Sequence, residues 1–246
     1  MVDLNEFYEN VDVTFEGTIE GMGEIAVGYK KWLSGLLDDI VQRLPDEYLP
    51  ENIHIYFSTL EKIIERWENP ENPNRDRAEP RYLESIKRAD KQWKNLAGII
   101  KNPKDLLEAW FEMPNFENGC STPTFRNIDG SLVVGCIIDI VIDRHTVFRS
   151  DDYIKGVIIH EIVEFTTKCA VWKEHKDEIK KVEDIIKVIE KYLKSGYYPP
   201  SKEYAEHEEI VNREVKRLGF EKEVAAIEKG DVTADNIRRN EVCKTV

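Results

Sequence analysis

The chain has 246 residues, of which 41% are hydrophobic and 34% charged, a composition typical of a folded globular protein. Its formal net charge of −13 argues against nucleic acid as a partner, because nucleic-acid-binding proteins usually carry a basic surface. No apolar run reaches the roughly 18 residues of a membrane-spanning helix, and the opening MVDLNEFYEN does not resemble a signal peptide. We therefore expect a cytoplasmic protein that binds neither nucleic acid nor membrane.

The four cysteines, Cys120, Cys136, Cys169 and Cys243, are scattered and form no C-x-x-C pair. Zinc ribbons and disulfide frameworks need closer or more regular spacing. We therefore interpret the cysteines as small hydrophobic side chains in a reducing cytoplasm. Abundant Lys, Glu and Ile with very little Gln are compatible with a thermophilic source, in which a disulfide between two of the cysteines remains open.

The region 1–112 is predicted to be mostly helical. Its first twenty residues show no clear period, so we expect a loosely packed segment there. Alternating apolar residues at 52–58 predict a short strand, and the proline- and asparagine-rich stretch 69–80 predicts a surface loop. Apolar residues at helical spacing predict helices at 24–44, 59–67, 81–100 and 103–111.

The region 113–246 is expected to pack with the first as one compact unit. A strand at 122–128 and a tight turn at 127–130 precede the nearly unbroken apolar run 132–142, which predicts a strand buried on both faces. Asp139 is the charged residue inside this run. Ser150 or Asp151 is expected to cap a helix. Helices are predicted at 152–171, 176–194 and 201–218, with short helices after residue 219.

The string His160-Glu161-Ile162-Val163-Glu164 lies on the helix predicted at 152–171, which is apolar nearly all round and therefore buried. Buried ionisable groups cost free energy unless they are paired or bind a metal. His160 and Glu164 are four residues apart, so both point to one face, one turn apart, as two ligands of one metal ion require. Glu161 then points beside the metal, where its carboxylate can hold a water and act as general base.

On this string the sequence resembles the zincin-like metallopeptidases, in a variant form with H-E-x-x-E in place of H-E-x-x-H. The resemblance extends over roughly 120–218 and implies an α+β fold in which a small sheet packs on an active-site helix. It also implies that a strand at the edge of the cleft comes shortly before this helix, and 132–142 is placed for that role. The implied cofactor is Zn²⁺, and the implied partner is a peptide or protein substrate.

A catalytic zinc site needs three protein ligands and a water, so a third ligand should follow downstream. On the wheel of the helix at 201–218, His207 faces the apolar side, and we predict it as the third ligand. Glu203 and Glu214 share its sector. Glu214 is a candidate to orient the His207 imidazole, or to be the ligand itself. Glu208 and Glu209 fall on what should be the solvent-facing side.

The predicted function is metal-dependent hydrolysis of peptide bonds. His160, Glu164 and His207 hold the zinc, and Glu161 takes a proton from the bound water and passes it to the leaving amine. The strand at 132–142 is expected to hold an extended substrate by main-chain hydrogen bonds.

Three alternatives remain open. The first is a non-catalytic metal-binding or interaction protein with the same zincin-like fold. The second is the facial triad of non-haem iron enzymes, which also consists of two histidines and one carboxylate. The third is a scaffold without metal, which requires salt bridges to satisfy His160, Glu161 and Glu164, for example with Lys168.

Overall fold

Four strands form one mixed sheet in a computed structural model that describes residues 3–17, 25–45, 48, 52–72, 75, 80–101, 105, 109, 118–128, 131–142, 149–174 and 201–230. The strands are β1 (Val11–Glu16), β2 (Ile53–Ser58), β3 (Gly119–Ile128) and β4 (Ser131–Val141). Their order across the sheet is β1-β2-β4-β3. Within the described residues, β1 and β3 are therefore the two edges.

The first, second and fourth strands run parallel, and β3 runs antiparallel to β4. Ile53 of β2 pairs with Val11 of β1 on one side and with Cys136 of β4 on the other. The pairing of Ile128 with Ser131 closes a β3–β4 hairpin at the predicted tight turn. Because β2 pairs with β4, the two regions inferred from the sequence, 1–112 and 113–246, contribute to the same sheet.

Seven helices occur among the described residues, so the fold is of mixed α+β class, as the sequence predicted. These helices are α1 (Leu4–Asn10), α2 (Ile25–Arg43), α3 (Leu60–Glu68), α4 (Pro80–Ile99), α5 (Asp151–Glu174), α6 (Ser201–Arg217) and α7 (Glu221–Lys229).

The larger hydrophobic core lies between one face of the sheet and the helices α2, α5, α6 and α7. Alternation along β4 directs Cys136, Ile138 and Ile140 to this face. Ile158 and Ile162 of α5 are fully buried against it. The helix that carries the H-E-x-x-E string is thus enclosed, which confirms what its apolar pattern predicted.

A second core lies on the opposite face of the sheet, under α3 and α4. Ile137 of β4 packs there with Trp67 of α3 and Tyr82 of α4. Asp139, on the same face, is fully buried; it accepts a hydrogen bond from Trp67 Nε1 at 2.7 Å and pairs with the Arg66 guanidinium. The charged residue inside the apolar run is therefore held by α3.

The ends of the helices beside the candidate site follow local capping chemistry. The Ser150 hydroxyl accepts a hydrogen bond from the backbone N–H of Tyr153 at 3.0 Å, so Ser150 caps α5 as predicted. Gly219 follows α6 with φ of 89°, a left-handed conformation that glycine adopts without strain and that commonly ends helices.

The predicted elements are largely confirmed, with one difference near the start of the chain. A loosely packed segment was predicted there, but the structure has α1 and β1, with Phe7 and Val11 buried. One short helix followed by an edge strand gives no sustained hydrophobic period. The helices predicted at 103–111 and 176–194 lie largely or wholly outside the described residues. In the described part of the chain, no helix has the length and apolar character that crossing a membrane requires.

Candidate metal centre

The residues of the H-E-x-x-E string lie in the middle of α5, where the helix packs against β3, β4 and α6. Ile159 and Val163 of the same stretch are fully buried. The ionisable side chains are also largely enclosed, since His160 is 15% exposed and Glu161 is 7% exposed. Groups with so little contact with water need partners within the protein.

The imidazole of His160 contacts α6 through both of its nitrogens. Nε2 lies 3.2 Å from Oε2 of Glu208, and Nδ1 lies 3.3 Å from Oδ1 of Asn212. Glu208 and Asn212 are four residues apart on α6, so they flank the ring from one face of that helix. Asn212 Oδ1 can only accept a hydrogen bond, which favours a proton on Nδ1 and directs Nε2 to the Glu208 carboxylate.

The surroundings of His160 favour a positive charge at this position. Burial by itself lowers the pKa of His160, but the Glu208 hydrogen bond and the negative charges of nearby glutamates outweigh it and raise the pKa from 6.5 to about 9. The glutamates concerned are Glu161, Glu164 and Glu208. Three carboxylates around one imidazole form an environment that either a proton or a metal cation can neutralise.

The carboxylate of Glu164 is held by the adjacent edge strand. The Ser121 hydroxyl of β3 donates a hydrogen bond to Glu164 Oε2 at 2.5 Å. Ser121 is only 4% exposed, so this contact is shielded from water. Ser121 could not be identified from sequence, because a lone serine just before the predicted strand 122–128 gives no recognisable signal.

Glu161 lies against the same strand at Gly119, two residues before Ser121. A Cβ atom placed on Gly119 would lie 2.7 Å from Glu161 Oε1 and 3.0 Å from Val157 Cγ1. Glu161 therefore occupies space that any side chain at position 119 would take. This packing brings the proposed general base close to the backbone of β3.

The described part of α6 differs from the helical wheel drawn from the sequence. That wheel placed Glu208 on the solvent-facing side; this is wrong, because the Glu208 carboxylate contacts His160. Val211 and Val215 of α6 are 0% and 1% exposed and belong to the larger hydrophobic core, to which α5 also contributes. Glu208 lies three residues before Val211 at helical spacing, so the apolar stripe brings it near this side of the helix, but the stripe does not choose between Glu208 and its neighbour His207.

Of the three residues that the sequence offers as third ligand, the structure describes the side chain of Glu214 only. Glu214 accepts hydrogen bonds from Tyr48 and from Arg217, so its carboxylate is engaged there. His207 lies in α6 directly before Glu208, but its side chain is outside the described residues, as is that of Glu203. The assignment of His207 as third ligand stays a prediction.

The strand position implied by the family resemblance is also different. The run 132–142 was assigned to the edge of the cleft, but β4 is an interior strand with β2 on one side and β3 on the other. In the described sheet, β3 is the edge strand, and it packs on α5. The β3–β4 hairpin explains the difference. β4 directly precedes α5 in the chain, but β3 pairs along its outer side and so becomes the edge strand.

Among the described side chains, no three His, Cys, Asp or Glu residues are already arranged around one point as a metal site. The donor chemistry nevertheless suits zinc, which binds imidazole nitrogen and carboxylate oxygen. His160, Glu164 and Glu208 provide one nitrogen and two carboxylates. The contact of His160 Nδ1 with Asn212 is of the kind that orients metal-binding histidines.

No model of a known protein family matches the chain, and no curated protein or solved structure matches it either.

Proposed function

We propose that the protein is a zinc-dependent hydrolase of peptide bonds, with its active site between α5, α6 and β3. The observation that carries the proposal is the pair of contacts at His160, whose Nε2 faces the Glu208 carboxylate and whose Nδ1 faces Asn212. A histidine that binds metal through one ring nitrogen usually donates the other N–H to an oxygen acceptor. The H-E-x-x-E string then supplies a second ligand and a general base from the same helix.

His160 and Glu164 from α5 would hold the metal together with one residue of α6. Glu208 is favoured as that third ligand, because its carboxylate lies against the histidine nitrogen that points away from Asn212. His207 is the alternative that the sequence predicts. When bound, zinc lowers the pKa of a water molecule toward neutrality and polarises a substrate carbonyl.

Glu161 would act as the general base and acid. Its carboxylate takes a proton from the attacking water while that water's oxygen forms a bond to the carbonyl carbon of the substrate. The same proton then moves to the amide nitrogen as the C–N bond breaks, which releases an amine and a carboxylic acid. A carboxylate shielded from bulk water suits this task, because solvent then does not compete for the transferred proton. Glu161 is 7% exposed.

The outer edge of β3 would hold the substrate. Within the described residues this edge has no neighbouring strand, and it adjoins the helix that carries Glu161. An extended peptide can add to such an edge through main-chain hydrogen bonds. The proposal thus transfers to β3 the role that the sequence analysis gave to 132–142.

A second candidate is a non-catalytic protein in which the same residues form a polar cluster without metal. Its specific support is that Glu164 bonds to Ser121 and His160 pairs with Glu208. Those contacts satisfy buried groups that would otherwise be costly. In this reading the H-E-x-x-E string joins α5 to β3 and α6 and has no chemical role.

Elemental analysis and a peptidase assay separate the two candidates. The purified chain is incubated with zinc, dialysed and analysed for metals, alongside Glu164→Ala as a site variant and Glu84→Ala as an exposed control on α4. We expect near-stoichiometric zinc in the wild type and the control but not in Glu164→Ala, and chelator-sensitive cleavage of a mixed peptide library. A wild type that retains no zinc would leave only the non-catalytic candidate. Iron in place of zinc would instead indicate the facial-triad class.

A further inference from the structure

Strand β3 presents two small residues to α5, and each contacts a different glutamate of the H-E-x-x-E string. Gly119 and Ser121 are two residues apart, so both point to the same face of the sheet. Ser121 hydrogen-bonds Glu164, and Gly119 lies against Glu161. Cys120, between them, belongs to the second core on the opposite face.

We propose that β3 is the positioning strand of the site: the Ser121 hydroxyl orients the Glu164 carboxylate for metal binding, and the missing side chain at Gly119 makes room for Glu161 to reach its catalytic position. This inference rests on the proposed function. It assigns separate tasks to two residues of one strand, because Glu164 is a ligand and Glu161 is a proton carrier.

Ser121 restrains a flexible carboxylate ligand. A glutamate has three rotatable side-chain bonds, so an unrestrained carboxylate loses considerable conformational freedom when it binds metal. The hydrogen bond from Ser121 to Oε2 fixes the rotation of the Glu164 carboxylate before a metal arrives. Partners of this kind typically change metal affinity by about 10- to 100-fold.

Gly119 acts by leaving space for the Glu161 side chain. A methyl group at this position would lie 2.7 Å from Glu161 Oε1 and 2.9 Å from Glu161 Cγ, closer than real Cβ contacts allow. Glu161 would have to move away from β3. The three atoms nearest to this methyl group belong to Glu161 and Val157, and none belongs to His160 or Glu164. Metal binding should therefore survive while proton transfer is impaired.

The test measures zinc affinity by chelator competition, together with kcat for peptide cleavage. Ser121→Ala should bind zinc about 10- to 100-fold more weakly than the wild type. Ser121→Thr keeps the hydroxyl, so its zinc affinity should stay near the wild-type value. Thr122→Ala is the matched control, because it removes a buried hydroxyl from the adjacent position, which faces away from α5.

Gly119→Ala should retain wild-type zinc affinity and lose kcat by about 100-fold or more, the usual contribution of a general base. Gly35→Ala, on α2, is its control, because a Cβ there would meet nothing within 4 Å. Circular dichroism and thermal melting identify any variant that fails to fold, and if Ser121→Ala fails, Ser121→Thr carries the test of the hydroxyl. If that variant binds zinc much more weakly than the wild type, the hydroxyl does not act as proposed.

Unchanged zinc affinity in a folded Ser121→Ala protein would overturn the role of Ser121, and unchanged kcat in Gly119→Ala would overturn that of Gly119. Both results leave the proposed function intact, since the wild type still binds zinc. A wild type that binds no zinc overturns the proposed function and this inference together.

Discussion

The imidazole Nε2 of His160 lies 3.2 Å from Oε2 of Glu208, so that α5 and α6 meet through a histidine and a carboxylate. Asn212, one turn further along α6, contacts the other ring nitrogen. The histidine is therefore fixed in both position and orientation by α6. A ring held in this way suits the ligand role proposed for Nε2, and the Glu208 carboxylate lies 3.2 Å from that nitrogen.

Replacement of Glu208 by Gln should remove most of the bound zinc, whereas His207→Ala should retain it. An amide is a much weaker zinc ligand than a carboxylate, so the loss should exceed the roughly 10- to 100-fold effect of removing an outer partner. Metal content after dialysis, measured by elemental mass spectrometry, checks this prediction. Glu209→Gln is the control, because Glu209 is the exposed neighbour on the same helix.

The opposite result has a definite meaning. If His207→Ala loses the zinc and Glu208→Gln keeps it, the third ligand is His207, as the helical wheel predicted. Loss in both variants would mean that the two neighbours both contribute to the site.

Glu161→Gln should keep its zinc and lose peptide cleavage. The amide occupies nearly the same volume as the carboxylate but cannot accept and return a proton, so kcat should fall by about 10²- to 10⁴-fold. Steady-state kinetics and metal analysis of the same preparation test both parts. A variant that loses zinc and cleavage together would contradict the role of general base, and one that keeps full activity would exclude it.

The helices and strands around the site could be predicted because their signals are local. The apolar residues of α5 recur all round the helix, and Ser150 caps it through a hydrogen bond only three residues long. The apolar run of β4 likewise indicated a strand buried on both faces, and its side chains enter both hydrophobic cores. Patterns of this kind depend on spacing along the chain and not on which elements later meet.

The contacts that complete the site could not be predicted in the same way. Ser121 and Glu208 are distant in sequence from His160 and Glu164, and neither belongs to a motif. The helical wheel of α6 takes His207 as the inward-facing residue because histidine is a common metal ligand. Glu208 is the next residue, and its side chain points about 100° away from that of His207. Which of two adjacent residues faces α5 depends on how the helices pack, and that is a tertiary property.

Asp139→Ala should strongly destabilise the fold without touching the proposed metal centre. The substitution removes a fully buried carboxylate and leaves the Arg66 guanidinium and the Trp67 N–H without this partner. Breaking a buried ion pair by removing one member typically costs about 3–5 kcal/mol of unfolding free energy, and the loss should lie at the lower end because Arg66 keeps its ion pair with Glu16. Urea denaturation measures the loss.

Asp90→Ala is the matched control for Asp139→Ala. Asp90 pairs with Lys94 on the surface of α4, and surface pairs contribute at most about 1 kcal/mol. A loss at Asp139 no larger than that of the control would show that burial does not make this pair important.

Glu214 should make the stability of the protein sensitive to acid. Hydrogen bonds from Arg217 and from Tyr48 lower the pKa of Glu214 below its ordinary value of 4.5, although partial burial opposes them. Because the folded-state pKa is lower than the unfolded-state value, the stabilisation is fully present above about pH 4.5 and is lost as the pH falls through the folded-state pKa.

Glu214→Gln should therefore be less stable than the wild type at neutral pH by about 0.2–1 kcal/mol, the range for a solvent-accessible pair. Urea denaturation between about pH 3 and pH 7 should show that the difference in unfolding free energy between the wild type and Glu214→Gln shrinks in acid. A difference that grows as the pH falls would contradict the sign of the shift, and Glu209→Gln controls for the general effect of replacing a glutamate on α6.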